Sequence, residues 1–207
     1  MAATELGVDA IGLVFAPNSR RITPCQGRKI AQLLPSHVTC VGVFADADYD
    51  EIMCTVEVAG LDAAQLHGNE TPELVAHCVS EGLRVIKAFR VRNEEVLAQV
   101  TRFRGCGAAA YLLDAYSPHQ AGGTGASFDW SIACRARQYG PIVLAGGLTP
   151  ANVGDAISTV RPVAVDVCSG VENRPGCKSI SAIELFMQRV NAGSRKPQST
   201  RRTHNVR

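Results

Sequence analysis

Short apolar runs alternate with amphipathic stretches at nearly even spacing along this chain. Residues 10–15, 38–44, 63–67, 85–89, 110–114, 141–145 and 163–167 are almost continuously apolar and five to seven residues long, which predicts buried strands. Between them the helical period appears at 28–34, 48–59 (with Ile52, Val56 and Ala59 on one side), 71–79, 93–103, 129–137, in a segment opened by Thr149-Pro150, and at 179–190. Proline directly behind a threonine recurs at Pro24, Pro72 and Pro150, a pairing that marks the first turn of a helix after a strand. Strands apolar on both faces need cover on both faces, so the pattern calls for an α/β fold with parallel pairing. Seven βα units fit either a doubly wound sheet or a (β/α)8 TIM barrel. Near-equal repeats, and polar side chains at the ends of many strands rather than at one switch point, favour the barrel. Residues 2–6 before Gly7 read as the tail of a first crossover helix, so the expectation is a barrel with its first strand missing.

Composition adds little to that picture and charge adds more. With 46% hydrophobic and 19% charged residues the chain can bury a substantial core, and no apolar run approaches the ~20 residues of a membrane span. Nothing at the start resembles a secretory signal. The eight cysteines stand singly, without CxxC spacing, which predicts free thiols in a reducing cytoplasm and no zinc or other metal site. Five of the positive charges lie in the last fourteen residues (Arg195, Lys196, Arg201, Arg202 and Arg207), so the formal +2 becomes −3 for the rest of the chain. A mildly acidic body does not suit a nucleic-acid partner. The expected organisation is a barrel domain over 1–193 and a basic tail over 194–207.

Several strand ends carry chemistry. Asp114 ends an apolar strand and precedes Gly122-Gly123-Thr124-Gly125; a carboxylate under a Gly-rich loop suits catalysis, while a turn cap is the plain alternative. Gly146-Gly147 sits between a strand and a helix, and Asp166 is followed by Ser169-Gly170 after the next strand. Two adjacent loops of this kind suit a phosphate, although glycines also serve tight turns. Arg20 and Arg21 could grip a carboxylate or phosphate, or form a solvated surface pair. His67, after Gln65, could orient a substrate or be a hydrogen-bonded core histidine. Lys87 lies within a strand and is expected to point into the barrel interior or mouth, in a structural ion pair with a neighbouring acid rather than as a Schiff-base amine.

Taken together these segments resemble the phosphoribosylanthranilate isomerases of tryptophan biosynthesis. The resemblance is carried by GVDAIGLVF (7–15), SRR (19–21), VGVF (41–44), QLHG (65–68), VIKA (85–88), LLD (112–114), GGTGASFDW (122–130), LAGGLTPANV (144–153) and VDVCSGVE (165–172), in order and spacing over about residues 3–192. It implies an Amadori rearrangement of N-(5-phosphoribosyl)anthranilate with no cofactor and no metal. Asp114 takes the place of the general acid that opens the ribose ring. Arg21 matches the arginine that holds the anthranilate carboxylate, with Arg20 as the alternative because the loop is one residue shorter. His67 would contact substrate, Gly146, Gly147, Ser169 and Gly170 would line the phosphate site, and Asp166 would support it. The implied partner is a small phosphorylated substrate; monomer and homodimer are both open, as is association with other tryptophan-pathway enzymes.

The family's lysine-isoleucine-cysteine-glycine segment, whose cysteine is the general base, occurs nowhere in the chain. Losing such a group costs ~10²–10⁴-fold in rate, so the expectation is an isomerase whose activity in this form is impaired. The alternatives are a non-catalytic phosphate-ligand-binding barrel, an interaction module paired through an open edge, or an aldose–ketose isomerase barrel of histidine biosynthesis, whose aspartate pair fits less well.

Overall fold

The computed structural model describes residues 2–115 and 128–194. The expected Gly122-Gly123-Thr124-Gly125 loop and the basic tail after Ser194 lie outside those residues. Helix α1 (Ala2–Glu5) leads into β1 (Ala10–Val14), α2 (Pro24–Ala31), β2 (Thr39–Phe44), α3 (Tyr49–Ala59), β3 (Ala63–Leu66), α4 (Pro72–Ser80), β4 (Arg84–Val91), α5 (Val96–Arg102) and β5 (Ala110–Ala115). Then follow α6 (Trp130–Ala136), β6 (Ile142–Leu144), α7 (Val153–Val160), β7 (Ala164–Val165), a hairpin of β8 (Glu172–Arg174) with β9 (Cys177–Lys178), and α8 (Ile180–Ser194). Strands β1 to β7 form one parallel sheet in sequential order, a curled half-barrel wall.

Local chemistry explains most boundaries. Thr23 caps α2 in a full capping box with Gln26, and Thr71 accepts from the Leu74 amide at 3.3 Å to cap α4, each with proline in the first turn. Thr149-Pro150 departs from that pattern. The Asn152 carboxamide accepts from the Thr149 amide at 2.8 Å, the segment closes as a turn, and regular helix begins only at Val153. The apolar 163–167 run yields just two paired residues, because β7 has a neighbour on one side only among the described residues.

The sheet's two faces differ sharply. Facing the helices, Leu13, Phe15, Phe44, Leu66, Val85, Phe89, Leu113 and Leu144 belong to one large core, each contributing roughly 1.5–3 kcal/mol by burial. The inner face holds a small cluster of Ala88, Ala110, Leu112, Val143 and Ala145 on the central strands β4 to β6. Towards the edges it is open: Ala10 and Gly12 of β1 and Ala164 of β7 are exposed.

Lys87 corrects the expectation that it enters the barrel. It alternates with Ile86 and Ala88, which face inward, and pairs in register with Leu66 and Tyr111, which face the helices. There its ammonium donates to Glu70 at 2.9 Å and to the carbonyls of Leu66, Gly68 and Ala88 at 3.1, 2.9 and 2.9 Å. Both side chains are essentially sealed, at 2% and 1% exposure. The Phe89 and Phe103 rings add cation–π contacts at 5.2 and 5.7 Å. The ion pair is structural, as its chemistry requires; it stands on the other side of the wall.

Candidate active site

Strand periodicity brings the candidate acid and histidine together. Asp114 follows Ala110 and Leu112 on the inner face of β5, and His67 follows Ala63 and Gln65 just past β3. With β4 between them, His67 Nε2 lies 3.5 Å from Asp114 Oδ2, and the side chains are only 18% and 20% exposed. The contact is at the limit of reach and lacks hydrogen-bond alignment, so Nε2 has no partner among the described residues. On the other side of the ring, the Gln65 carboxamide nitrogen lies 3.2 Å from Nδ1. Since that nitrogen can only donate, Nδ1 accepts, and the proton of a neutral imidazole falls on Nε2, on the side of the ring nearer Asp114.

Electrostatics sets the protonation of this pair. Burial, reinforced by the nearby Asp166 carboxylate, pushes Asp114 up to about 6 against weaker opposing contributions from the Ala115 amide and Arg90. Burial, with the positive charges of Arg90 and Lys87, pulls His67 down to about 4. The histidine is therefore neutral near pH 7, while roughly a tenth of Asp114 still carries its proton there. A carboxyl raised this far is suited to donating a proton to a ligand atom near neutrality. A cleft of about 650 Å³ opens beside His67, with Lys87, Arg90, Gln99 and Arg102 in its walls. A second, of about 660 Å³, lies by Trp130, Cys134 and Thr159, and none of the candidate residues lines it.

The two glycine loops also converge. Gly146 (φ +80°) and Gly147 (φ +65°) follow β6 in the left-handed region, and a Cβ on Gly146 would stand 2.1 Å from the Ala115 amide nitrogen. Glycine thus allows this loop to rest on the residue next to Asp114. Asn152 holds it there, donating to the Gly147 carbonyl at 2.9 Å. Gly170 is equally constrained, since a Cβ would meet the Leu148 carbonyl oxygen at 1.8 Å, so the Ser169-Gly170 turn packs against the Gly146-Gly147 loop. Asp166, anchored through its amide to the Leu144 carbonyl at 2.8 Å, is exposed.

Arg20 and Arg21 part company. Arg20 reaches Glu172 with two nitrogens at 2.8 and 3.3 Å, whereas Arg21 is exposed and, among the described residues, its guanidinium has no partner. Three contributors were not singled out in the sequence. Arg90 is the register partner of Asp114 on the inner face, and the alternation after Ala88 would have indicated it. Glu70 is the acid that Lys87 needs, and it also accepts from the Gly68 and Asp46 amides at 3.0 Å, fixing the loop that carries His67. Glu172 sits in a hairpin too short to leave a periodic signal.

The family model for N-(5′-phosphoribosyl)anthranilate isomerase matches residues 1–189. The chain belongs to this family. It is 45% identical over 191 residues to N-(5′-phosphoribosyl)anthranilate isomerase of Geobacter sulfurreducens, spanning 92% of this chain and 91% of that one. Among solved structures, the phosphoribosyl anthranilate isomerase of Thermotoga maritima superposes with a TM-score of 0.85 at 40% identity, over 92% of each chain. A second isomerase, solved with reduced 1-(o-carboxyphenylamino)-1-deoxyribulose 5-phosphate, gives 0.81 at 38% identity over 92% and 91%. A third, described as monomers generated from the dimeric Thermotoga maritima enzyme, gives 0.81 at 37% over the same shares. No helix among the described residues is long and apolar enough to cross a membrane.

Proposed function

We propose that this chain provides the acid half of the phosphoribosylanthranilate isomerase reaction. The carrying observation is Asp114: an inner-face carboxyl at the end of β5, raised to about 6, beside a neutral histidine, in a member of this family. In its protonated form Asp114 gives its proton to the ribose ring oxygen as the C1′–O bond breaks and the anthranilate nitrogen lone pair moves in to form the C1′=N bond. Loss of the C2′ proton then gives the enol, which rearranges to the ketone. His67 Nε2–H holds Asp114 or a substrate hydroxyl. Arg21, exposed and without a side-chain partner among the described residues, takes the anthranilate carboxylate, and Gly146, Gly147, Ser169 and Gly170 cradle the phosphate, with Asp166 behind them. No cofactor or metal enters this scheme. The eight unpaired thiols support a reducing, cytoplasmic setting, the body to residue 193 acts as one barrel unit, and the 194–207 segment is a basic appendage.

The finer part of the proposal concerns the barrel's open side. The inner faces of β1 and β7 are exposed where an eighth strand would lie, and we assign that position to the strand bearing the family's cysteine base. Isomerase turnover is therefore weak in the 207-residue chain and restored when a strand with a lysine-isoleucine-cysteine-glycine segment precedes Ala2. The test is growth of a tryptophan auxotroph lacking the isomerase, alongside a direct fluorescence assay. Equal activity of the two forms would overturn the assignment of the base. The same open edges favour a second reading, strand addition from a partner chain, which size exclusion would reveal as a stable oligomer.

A further inference from the structure

Strands β1 and β7 are the two edges of the sheet and share no hydrogen bonds, yet the loops that follow them are tied together. Arg20, in the loop after β1, donates from Nη2 to Glu172 Oε2 at 2.8 Å and from Nε to Oε1 at 3.3 Å, 152 positions along the chain. Lys178 of β9 donates to the same Oε1 at 3.0 Å and to the Cys168 carbonyl at 2.7 Å. The Glu172 side chain is 3% exposed and that of Arg20 21%, so this is a two-pronged, partly buried strut rather than a fully solvated surface pair. Burial alone would push the Glu172 carboxyl up; Arg20 and Lys178 outweigh it and hold it at about 2, so the strut stays charged throughout any assay range.

Its two ends abut the two halves of the site. Arg20 adjoins Arg21, and the turn containing both is fixed by Asn18, whose side chain accepts from the Arg20 amide at 2.6 Å and whose carbonyl accepts from the Arg21 amide at 3.2 Å. Glu172 follows the Ser169-Gly170-Val171 turn directly, and Lys178 fastens Cys168 on that turn's other side. We propose that Glu172 is a positioning residue for the isomerisation: it sets the distance between the Arg21 guanidinium and the Ser169-Gly170 turn, so that one ligand with a carboxylate at one end and a phosphate at the other engages both. This rests on the site reading of the preceding section. A ligand spanning two subsites gains from their fixed separation, whereas a ligand occupying one subsite does not.

The experiment uses the 207-residue chain, its Glu172→Gln and Lys178→Met variants, and three probes titrated by calorimetry: reduced 1-(o-carboxyphenylamino)-1-deoxyribulose 5-phosphate, anthranilate and inorganic phosphate. Glu172→Gln is expected to weaken the bridging compound about tenfold while anthranilate and phosphate stay within about twofold; Lys178→Met gives the same pattern with a smaller loss. Thermal unfolding of each variant without ligand confirms that it is folded at the titration temperature, and if Glu172→Gln is not, the milder Lys178→Met decides. Equal weakening of all three probes, or an unchanged bridging affinity, overturns the proposal. If the unaltered chain binds none of the probes, the site reading itself fails and the inference falls with it.

Discussion

The pull on Asp114 makes it a residue that works against the stability of its own fold. Its carboxyl is raised from 3.8 to about 6, so the folded chain binds a proton more readily than the unfolded chain. Stability from this group is fully present below pH ~4 and is lost as pH rises through 6, where the buried charge becomes a burden. Asp114→Asn should therefore raise unfolding free energy at pH 8 by on the order of 1–3 kcal/mol and leave it unchanged near pH 4. In a form carrying the eighth strand it should lower isomerase kcat by ~10²–10⁴-fold. Denaturant titrations at the two pH values and one rate assay check both halves, and retained activity would remove Asp114 from the chemistry. His67 has the opposite linkage: its lowered value means that stability is full above pH 6.5 and drains as pH falls to about 4.

At the level of elements, the Lys87–Glu70 pair holds the loop between β3 and α4, and through it the histidine. Lys87→Met should cost about 3–5 kcal/mol by leaving the Glu70 carboxylate buried without its cation, and adding Glu70→Gln should recover a good part of that. Chemical unfolding of the single and double variants tests this; an additive loss would show that the two side chains are not coupled. The pair also marks how far the sequence could be read. All seven parallel strands were legible because each is a compact apolar run, and the Thr-Pro caps at 23–24 and 71–72 because their chemistry is local. The face that Lys87 points to was not, since apolar residues on both sides of a strand erase the alternation that reveals direction. Nor was the meeting of Arg20 with Glu172, because a contact between residues so far apart in the chain has no local signature. Asp114 could be picked out as a candidate acid, but its neighbour His67 comes from a strand two places away and only the register sets them side by side.

Across the whole molecule the contrast lies between a closed centre and open flanks. Strands β3 to β5 are paired on both sides and mostly buried, whereas among the described residues β1 and β7 are paired on one side, with Ala10, Gly12 and Ala164 exposed. Amide hydrogen exchange should be at least about tenfold faster in β1 and β7 than in β3 to β5; uniform protection would show that the flanks are covered in solution. The burial of Lys87 has one more use. Lys29 stands in solvent, while the Lys87 amine, 2% exposed, is held in the helix-side core. An amine-acylating reagent should thus mark Lys29 at once and Lys87 only as the helix-side core opens, so that one mass spectrum over time separates the breathing of the surface from the unfolding of the wall.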